Sequence, residues 1–531
     1  MRQGNLFHPV YYFYSHGAAM QIIENKALLL SLRNPERVSA VIPRSKVLGN
    51  GTVLVKWGLD EAQVLKNLHI KGVPSPILGH YDWPGMYKPF AHQKETASFL
   101  TLHRRAFCLS EQGTGKTGGV IWAADYLIKL GHVRRVLIIC PLSIMQSAWQ
   151  ADLFKIAMHR SVDVAYGSVV KRRAIVEGDA EFVIINYDGV KVSADDIAAG
   201  GFGLIIVDEA SAYQNAQTAR WKMLNKLVGP DTWLWMMTGT PAAQGPDYAY
   251  GLAKLVNPKS VPRHFGAFRD MVMYKITQFK WGIKESAPET VHRVLQPAIR
   301  FSKEECLDLP DLVYVSRAVE MTVQQKRFYH KLRKDLLLEA AGENVTAGTA
   351  AVAMTKLLQI SSGSVYTDDQ NTLQFDISSR YKVLMEVIAE TPSKVLVFVP
   401  FRNAIELLSQ KLAADKISCE VIDGSIPASK RTEVFNAFQS NPDPRVLVIQ
   451  PQAAAHGVTL TAADTVVWWG PTASLEIYEQ ANARIHRKGQ TRKCTIVQLI
   501  GSPVEERVYK LLDSKIDIHR QVIDLYANAL D

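Results

Sequence analysis

The sequence predicts an α/β protein with two parallel-sheet units in tandem, a small β-rich region before them and an irregular, partly helical bridge between them. Three observations carry this. Short, continuous apolar runs alternate with helix-patterned segments twice along the chain, which is the signature of strands buried on both faces. One such run, Ala106-Phe107-Cys108-Leu109, leads into Ser110-Glu111-Gln112-Gly113-Thr114-Gly115-Lys116-Thr117, a glycine-bearing loop that opens a helix. Another, Leu204-Ile205-Ile206-Val207, runs straight into Asp208-Glu209. At 531 residues the chain is too long for one core and fits several domain-sized units.

Residues 1–85 stand apart as an accessory region. Val53 to Trp57 alternates like a strand and Asp60 to Leu68 has the spacing of one amphipathic helix. The region ends in Tyr81-Asp82-Trp83-Pro84-Gly85, whose aromatics either stack on nucleobases or, as the simpler reading has it, close a small core. Residues 86–255 form the first unit, with strands expected at Val136–Cys140, Phe182–Ile185, Leu204–Val207 and Trp233–Met237. The helix after the glycine loop carries Val120, Ala124, Leu127 and Ile128 at three- and four-residue spacings and stops at Gly131. Residues 256–375 are the bridge, with a Lys- and Arg-rich helix over Thr322 to Leu338 and a small, polar loop over 342–349. In residues 376–531 the alternation resumes, with strands at Val395–Val399, Cys419–Ile422, Val446–Ile449, Val466–Trp469 and Thr495–Leu499.

The chemistry is concentrated in three stretches. In the loop, the backbone N–H groups around Gly113, Thr114 and Gly115 are placed to wrap a phosphate, Lys116 to reach the outer phosphates and the Thr117 hydroxyl to join a Mg²⁺ ion. Ser110 occupies the position of the first glycine in the usual pattern. Asp208 and Glu209 stand at the carboxyl end of a buried strand, the edge at which open α/β sheets bind ligands. There Asp208 suits Mg²⁺ and Glu209 suits orienting an attacking water, although an Asp-Glu pair can also simply cap a helix. In the second unit, Arg484 and Arg487 are three residues apart and share a helix face, from which they can neutralise charge on a phosphate bound by the first unit.

Together these stretches resemble superfamily 2 helicase-like ATPases, and within them the Snf2 family, over residues 87–515 and with the motifs in the family's order. Lys88 to Gln93 is similar to the adenine-reading Q motif, which implies Gln93 as the reader. Ser110 to Thr117 is similar to D-E-M-G-L-G-K-T, which also lacks the first glycine. Cys140-Pro141-Leu142-Ser143 followed by Trp149 resembles motif Ia, Asp208-Glu209-Ala210 motif II, and Thr238-Gly239-Thr240-Pro241 motif III. Arg300 to Pro310, with Gln324-Gln325 and Phe328-Tyr329, resembles the segment that leads into the second lobe, and Asp423-Gly424-Ser425 with Arg431 and Phe438 the segment around motif IV. Gly457 to Asp464 is similar to motif V, and Gln480 to Gln490 to Q-A-x-D-R-A-H-R-I-G-Q.

The resemblance implies two RecA-like phosphate-loop lobes that bind ATP and Mg²⁺ between them. It makes Gln480, with Arg484, Arg487 and Glu209, catalytic, and it places Pro141, Ser143, Thr238 and Thr461 on a DNA backbone. The implied activity is ATP-driven translocation on duplex or structured DNA, in replication, recombination or repair, by a compact, monomeric enzyme of prokaryotic or viral type. A strand-separating DNA or RNA helicase, and a nucleotide-gated DNA-binding accessory protein of low turnover, are the alternatives. The net charge of +10 agrees with a polyanionic partner. Five cysteines without a C-x-x-C pair, a start at Met1 without a signal-peptide core and the lack of a long apolar stretch point to a reducing, intracellular setting away from membranes, cytoplasmic in a prokaryote or infected host and nuclear in a eukaryote. Motif II departs from the family at Ser211, where histidine is usual, and the departure is expected to loosen coupling between the nucleotide and DNA sites.

Overall fold

The computed structural model describes residues 12–15, 18–242, 245–277, 281–306, 309–342, 347–366, 372–454, 458–487 and 489–513. Its first element is a five-stranded antiparallel sheet in the order Tyr12–Ser15, Ala18–Ile23, Ala27–Ser31, Thr52–Lys56, Lys46–Gly49. Glu24 and Asn25 both adopt positive φ, 50° and 54°, which is the two-residue turn whose twist suits a hairpin. Alternation decides which face is inside. Leu28 pairs with Val55 and Leu30 with Val53, and all four side chains are buried.

The first lobe is a seven-stranded sheet in the order Ala298–Ile299, Arg105–Cys108, Trp233–Met237, Phe202–Val207, Arg135–Cys140, Phe182–Asn186, Val162–Ala165, with every pairing parallel. Helices cover both faces, so the strands between the edges bury nearly every residue, which is why they read as unbroken apolar runs. Parallel strands end on the same edge. That edge gathers the turns after Cys108, Cys140, Val207 and Met237.

The second lobe is a six-stranded parallel sheet in the order Leu312–Ala318, Cys494–Ile500, Ala463–Trp468, Lys394–Phe398, Val446–Ile449, Cys419–Ile422. Residues 256–375 contribute a strand to each lobe, Ala298–Ile299 to the first and Leu312–Ala318 to the second. These two and Val162–Ala165 are edge strands, short or only half-buried; the run Leu312 to Val315 in Leu312–Ala318 is apolar but stays partly exposed. The bridge also holds a pair of helices, Val323–Gly342 and Ala347–Ser362. The loop expected over 342–349 is corrected at its ends, which are helical; residues 343–346 lie outside the described residues.

The N-terminal sheet does not stand free of the first lobe. Its buried residues form one continuous core with Ala97, Leu100, Val120 and Ala124 of the lobe's first two helices. Tyr81 and Trp83 close that junction, edge-on to Tyr126 and Trp122 at ring-centroid distances of 5.4 and 5.9 Å. The Trp122 indole N–H donates to the Pro84 carbonyl at 2.9 Å. The simpler reading of those aromatics, as core, is the one the packing supports.

Candidate nucleotide site between the lobes

The loop Ser110–Gly115 is shaped by two glycines, Gly113 at φ +89° and Gly115 at φ +75°. A side chain at Gly115 would also bring its Cβ to 2.7 Å from the Gln93 amide nitrogen, so glycine is needed there for space as well as for conformation. The helix Lys116–Lys129 starts directly after it and turns its N-terminal N–H groups toward the loop. Ser110 is buried, and its hydroxyl accepts the Phe301 N–H at 3.2 Å. Glu111 accepts from Arg300 at 2.9 Å and from the Lys303 N–H at 3.2 Å, while a second Arg300 nitrogen donates to the Leu109 carbonyl at 2.8 Å. The polar residue in the first-glycine position thus has a structural cause: it ties the loop to the segment after the edge strand Ala298–Ile299.

Gln93 and His92 hold the loop from the other side. The Gln93 carbonyl oxygen accepts the Phe90 N–H at 2.9 Å, and its amide nitrogen donates to the Gly115 carbonyl at 2.8 Å. His92 Nε2 donates to the Thr114 carbonyl at 2.7 Å. Both ends of the Gln93 side chain are therefore engaged in bracing the loop in this conformation.

Asp208 and Glu209 follow strand Phe202–Val207, as its apolar run requires. The Trp149 indole N–H donates to Asp208 Oδ2 at 2.8 Å, and the Glu209 N–H donates to Oδ1 at 3.0 Å. The Tyr187 hydroxyl donates to the carbonyls of Asp208 and Glu209 at 2.7 and 3.2 Å. Glu209 has φ +47°, a left-handed conformation that costs a non-glycine residue roughly 1–2 kcal/mol and that the surrounding bonds must hold. Burial, and next the Asp208 charge, raise its carboxyl to about 8, with Lys116 and Arg484 opposing. Its Oε1 accepts from Gln112 Nε2 at 3.3 Å, and its buried Oε2 meets no donor among the described residues.

The second lobe reaches this site through helix Leu475–Asn482 and the turn after it. Arg484 is buried and donates to the Gln480 carbonyl at 2.8 Å and to Gln112 Oε1 at 3.3 Å. Burial and the neighbouring Arg487 push its guanidinium below the usual arginine range, and Glu209 opposes them. Arg487 donates to the Val458 carbonyl at 3.0 Å, and its Cβ stands 3.4 Å from where a Gly113 Cβ would be. Gln480 Nε2 donates to Glu476 Oε1 at 3.3 Å.

The loop, Asp208, Glu209, Gln480, Arg484 and Arg487 are thus brought to one cleft. The four DNA-backbone candidates are not alike. Ser143 is exposed and Thr461 half-buried, with its hydroxyl accepting from Gln439 at 3.0 Å. Pro141 and Thr238 are buried, and the Thr238 hydroxyl accepts the Thr240 N–H at 3.1 Å, so neither presents a surface to a phosphate backbone here. Gly457, at the start of the motif V stretch, lies outside the described residues. Site residues missed from sequence include Gln112, Trp149 as a partner of Asp208, Tyr187 and Glu476. Gln112 lies inside the loop, but nothing in its spacing says that its amide bridges two lobes.

Two parallel sheets, one carrying a phosphate loop and the other presenting buried arginines to it, define a two-lobed phosphate-loop protein of the helicase-like kind. The SNF2-related domain matches residues 92–376, more than half of the chain, and the helicase conserved C-terminal domain matches residues 379–489. The chain belongs to the SNF2-related family. It is 24% identical over 428 residues to an ATP-dependent helicase of Mycoplasma genitalium, covering 78% of this chain and 40% of that one. It is 26% identical over 462 residues to chromodomain-helicase-DNA-binding protein 1-like of Mus musculus, covering 82% and 50%. Protein p41 of Acyrthosiphon pisum secondary endosymbiont phage 1 is 24% identical over 430 residues, with 77% and 90% covered. The chain therefore spans half or less of the Mycoplasma and mouse relatives, and most of the phage protein. Among solved structures, the Sulfolobus solfataricus SWI2/SNF2 ATPase core in complex with dsDNA aligns with 83% of this chain and 94% of that one, at 21% identity and a TM-score of 0.41.

Proposed function

We propose that this chain hydrolyses ATP between its two lobes and uses the cycle to translocate on duplex DNA. The observation that carries the reading is the Gln112 amide, which touches Glu209 with one end and Arg484 with the other. A phosphate held by the loop between these groups meets donors from both lobes only when the lobes are closed. Lys116 and the N–H groups at the start of its helix hold the phosphates, Glu209 orients the water and Arg484 and Arg487 receive the developing charge.

The donor set suits Mg²⁺, which takes one or two protein oxygens and leaves the rest of its shell to phosphates and water. Asp208 and the Thr117 hydroxyl would hold it, and it would supply charge neutralisation at the outer phosphates. The exposed Ser143, at the same sheet edge, is the backbone-contact candidate with accessible surface, and DNA is the partner favoured by the net charge of +10. The N-terminal region would move with the first lobe.

Lys116→Ala is expected to abolish nucleotide binding and turnover, and Glu209→Gln to keep binding but lose about 10²-fold or more in duplex-stimulated rate. Steady-state ATPase assays with and without duplex check both. Duplex-stimulated turnover that survives in a pure Glu209→Gln preparation overturns the assignment. Triplex displacement without fork unwinding separates translocation from strand separation.

A further inference from the structure

Ser211 stands two residues after Glu209 and is half-buried, its hydroxyl 3.5 Å from the Glu209 carbonyl of its own turn. It donates to Glu476 Oε1 at 2.6 Å, a short, charge-assisted bond between residues 265 apart in sequence. Glu476 sits in the first turn of helix Leu475–Asn482, where the positive end of the helix favours a carboxylate. The same Oε1 accepts from Gln480 one turn later, and Arg484 donates back to the Gln480 carbonyl. One carboxylate oxygen thus joins the motif II turn of the first lobe to the helix that positions Gln480 and Arg484 in the second.

We propose that Glu476 is a positioning residue, and that its bond to Ser211 is the lobe-to-lobe latch that sets Arg484 in register with Glu209. The inference rests on the ATPase reading above and names how that site is assembled. Beside the looser coupling of nucleotide and DNA sites expected from this serine, it gives Ser211 a role between the lobes: a hydroxyl short enough to let the carboxylate of the facing helix come within 2.6 Å.

The test uses the whole chain with Ser211→Ala, Glu476→Ala, Glu476→Gln and the Ser211→Ala/Glu476→Ala double variant, in duplex-stimulated ATPase assays. A hydrogen bond to a charged group supports a loss of about tenfold or more, so each alanine variant is expected to lose that much in kcat while KM for ATP stays within about twofold. The double variant should be no slower than Glu476→Ala alone, because both changes break one bond. Glu476→Gln keeps an oxygen that can accept from Ser211 and should recover most of the lost rate. Additive losses, a loss carried by KM, or an unchanged Glu476→Ala rate overturns the proposal. Should Glu476→Ala fail to fold, Ser211→Ala, which removes one oxygen and no packing volume, carries the same comparison. If the unaltered chain has no turnover, the ATPase reading falls and the latch is decided separately by small-angle scattering with a non-hydrolysable ATP analogue. A more open Ser211→Ala particle supports it, and an unchanged one overturns it.

Discussion

At Glu209 a left-handed backbone, a buried carboxyl oxygen and an adjacent carboxylate coincide. Each is unfavourable alone, and they persist because Tyr187 and Gln112 bond the residue from separate elements. Gln112 is informative because its two ends serve different lobes. An amide can do this where a charged side chain cannot, since it presents an acceptor to Arg484 and a donor to Glu209 at once. Gln112→Ala should therefore lower duplex-stimulated kcat by about tenfold, from two contacts to charged groups, while nucleotide affinity holds within about twofold. Steady-state rates beside binding of a fluorescent nucleotide analogue check this. A change confined to affinity would mean that Gln112 serves only the loop.

The elements show how the loop gains its rigidity. On one side stands the helix Ala91–Thr101 with His92 and Gln93; on the other stands the strand Ala298–Ile299 followed by Arg300. That helix is in turn packed on the N-terminal region, where Gln63 Nε2 donates to the Thr101 carbonyl at 3.0 Å and Lys66 Nζ to the Leu102 carbonyl at 3.1 Å. A lysine at a helix C-terminus satisfies carbonyls that have no partner within the helix. Burial lowers that lysine to about 8. Because the N-terminal sheet and the first lobe share one core, Leu30→Ala should cost about 3 kcal/mol and lower the unfolding midpoint of the lobe along with the sheet. Denaturant unfolding followed separately by tryptophan fluorescence and by nucleotide binding checks this. A sheet that melts alone, leaving nucleotide binding intact, would show two separate units.

At the scale of the molecule, each lobe has its own apolar core, and among the described residues the hydrogen bonds between them include Ser211 with Glu476 and Gln112 with Arg484. Separate cores joined by polar contacts leave opening and closing within reach of nucleotide binding energy, which is what the proposed cycle needs. The basic excess is spread over the chain, and the proposed tracking on a phosphate backbone would depend on it. Duplex affinity is expected to fall steeply with salt, with log K changing by about −0.9 per log unit of salt for each phosphate neutralised. Titrations across a salt series, with duplex and single strands compared, measure that slope. A slope near zero would remove DNA from the proposal. Among the described residues no helix is long and apolar enough to cross a membrane.

Much of the plan was legible in the chain itself, for a local reason. A strand buried on both faces must be continuously apolar, and a loop that wraps phosphate must contain glycine next to a lysine, so Leu204–Glu209 and Ser110–Thr117 announce themselves within a few residues. The strands Val162–Ala165 and Ala298–Ile299 did not, because an alternating or two-residue edge strand leaves no apolar run, and Leu312–Ala318 was missed inside a bridge that otherwise lacks the strand–helix rhythm. Which side chains meet across the cleft was likewise closed to the sequence. Ser211 and Glu476, or Gln112 and Arg484, carry no mark of each other, since their contact depends on how two lobes dock. The sequence by itself determined two sheets, a phosphate loop and the arginines facing it. The tertiary structure decided that Ser110 is a tether, that Gln93 braces the loop and that Ser211 binds the opposite lobe, because each role rests on a partner supplied by folding rather than by spacing.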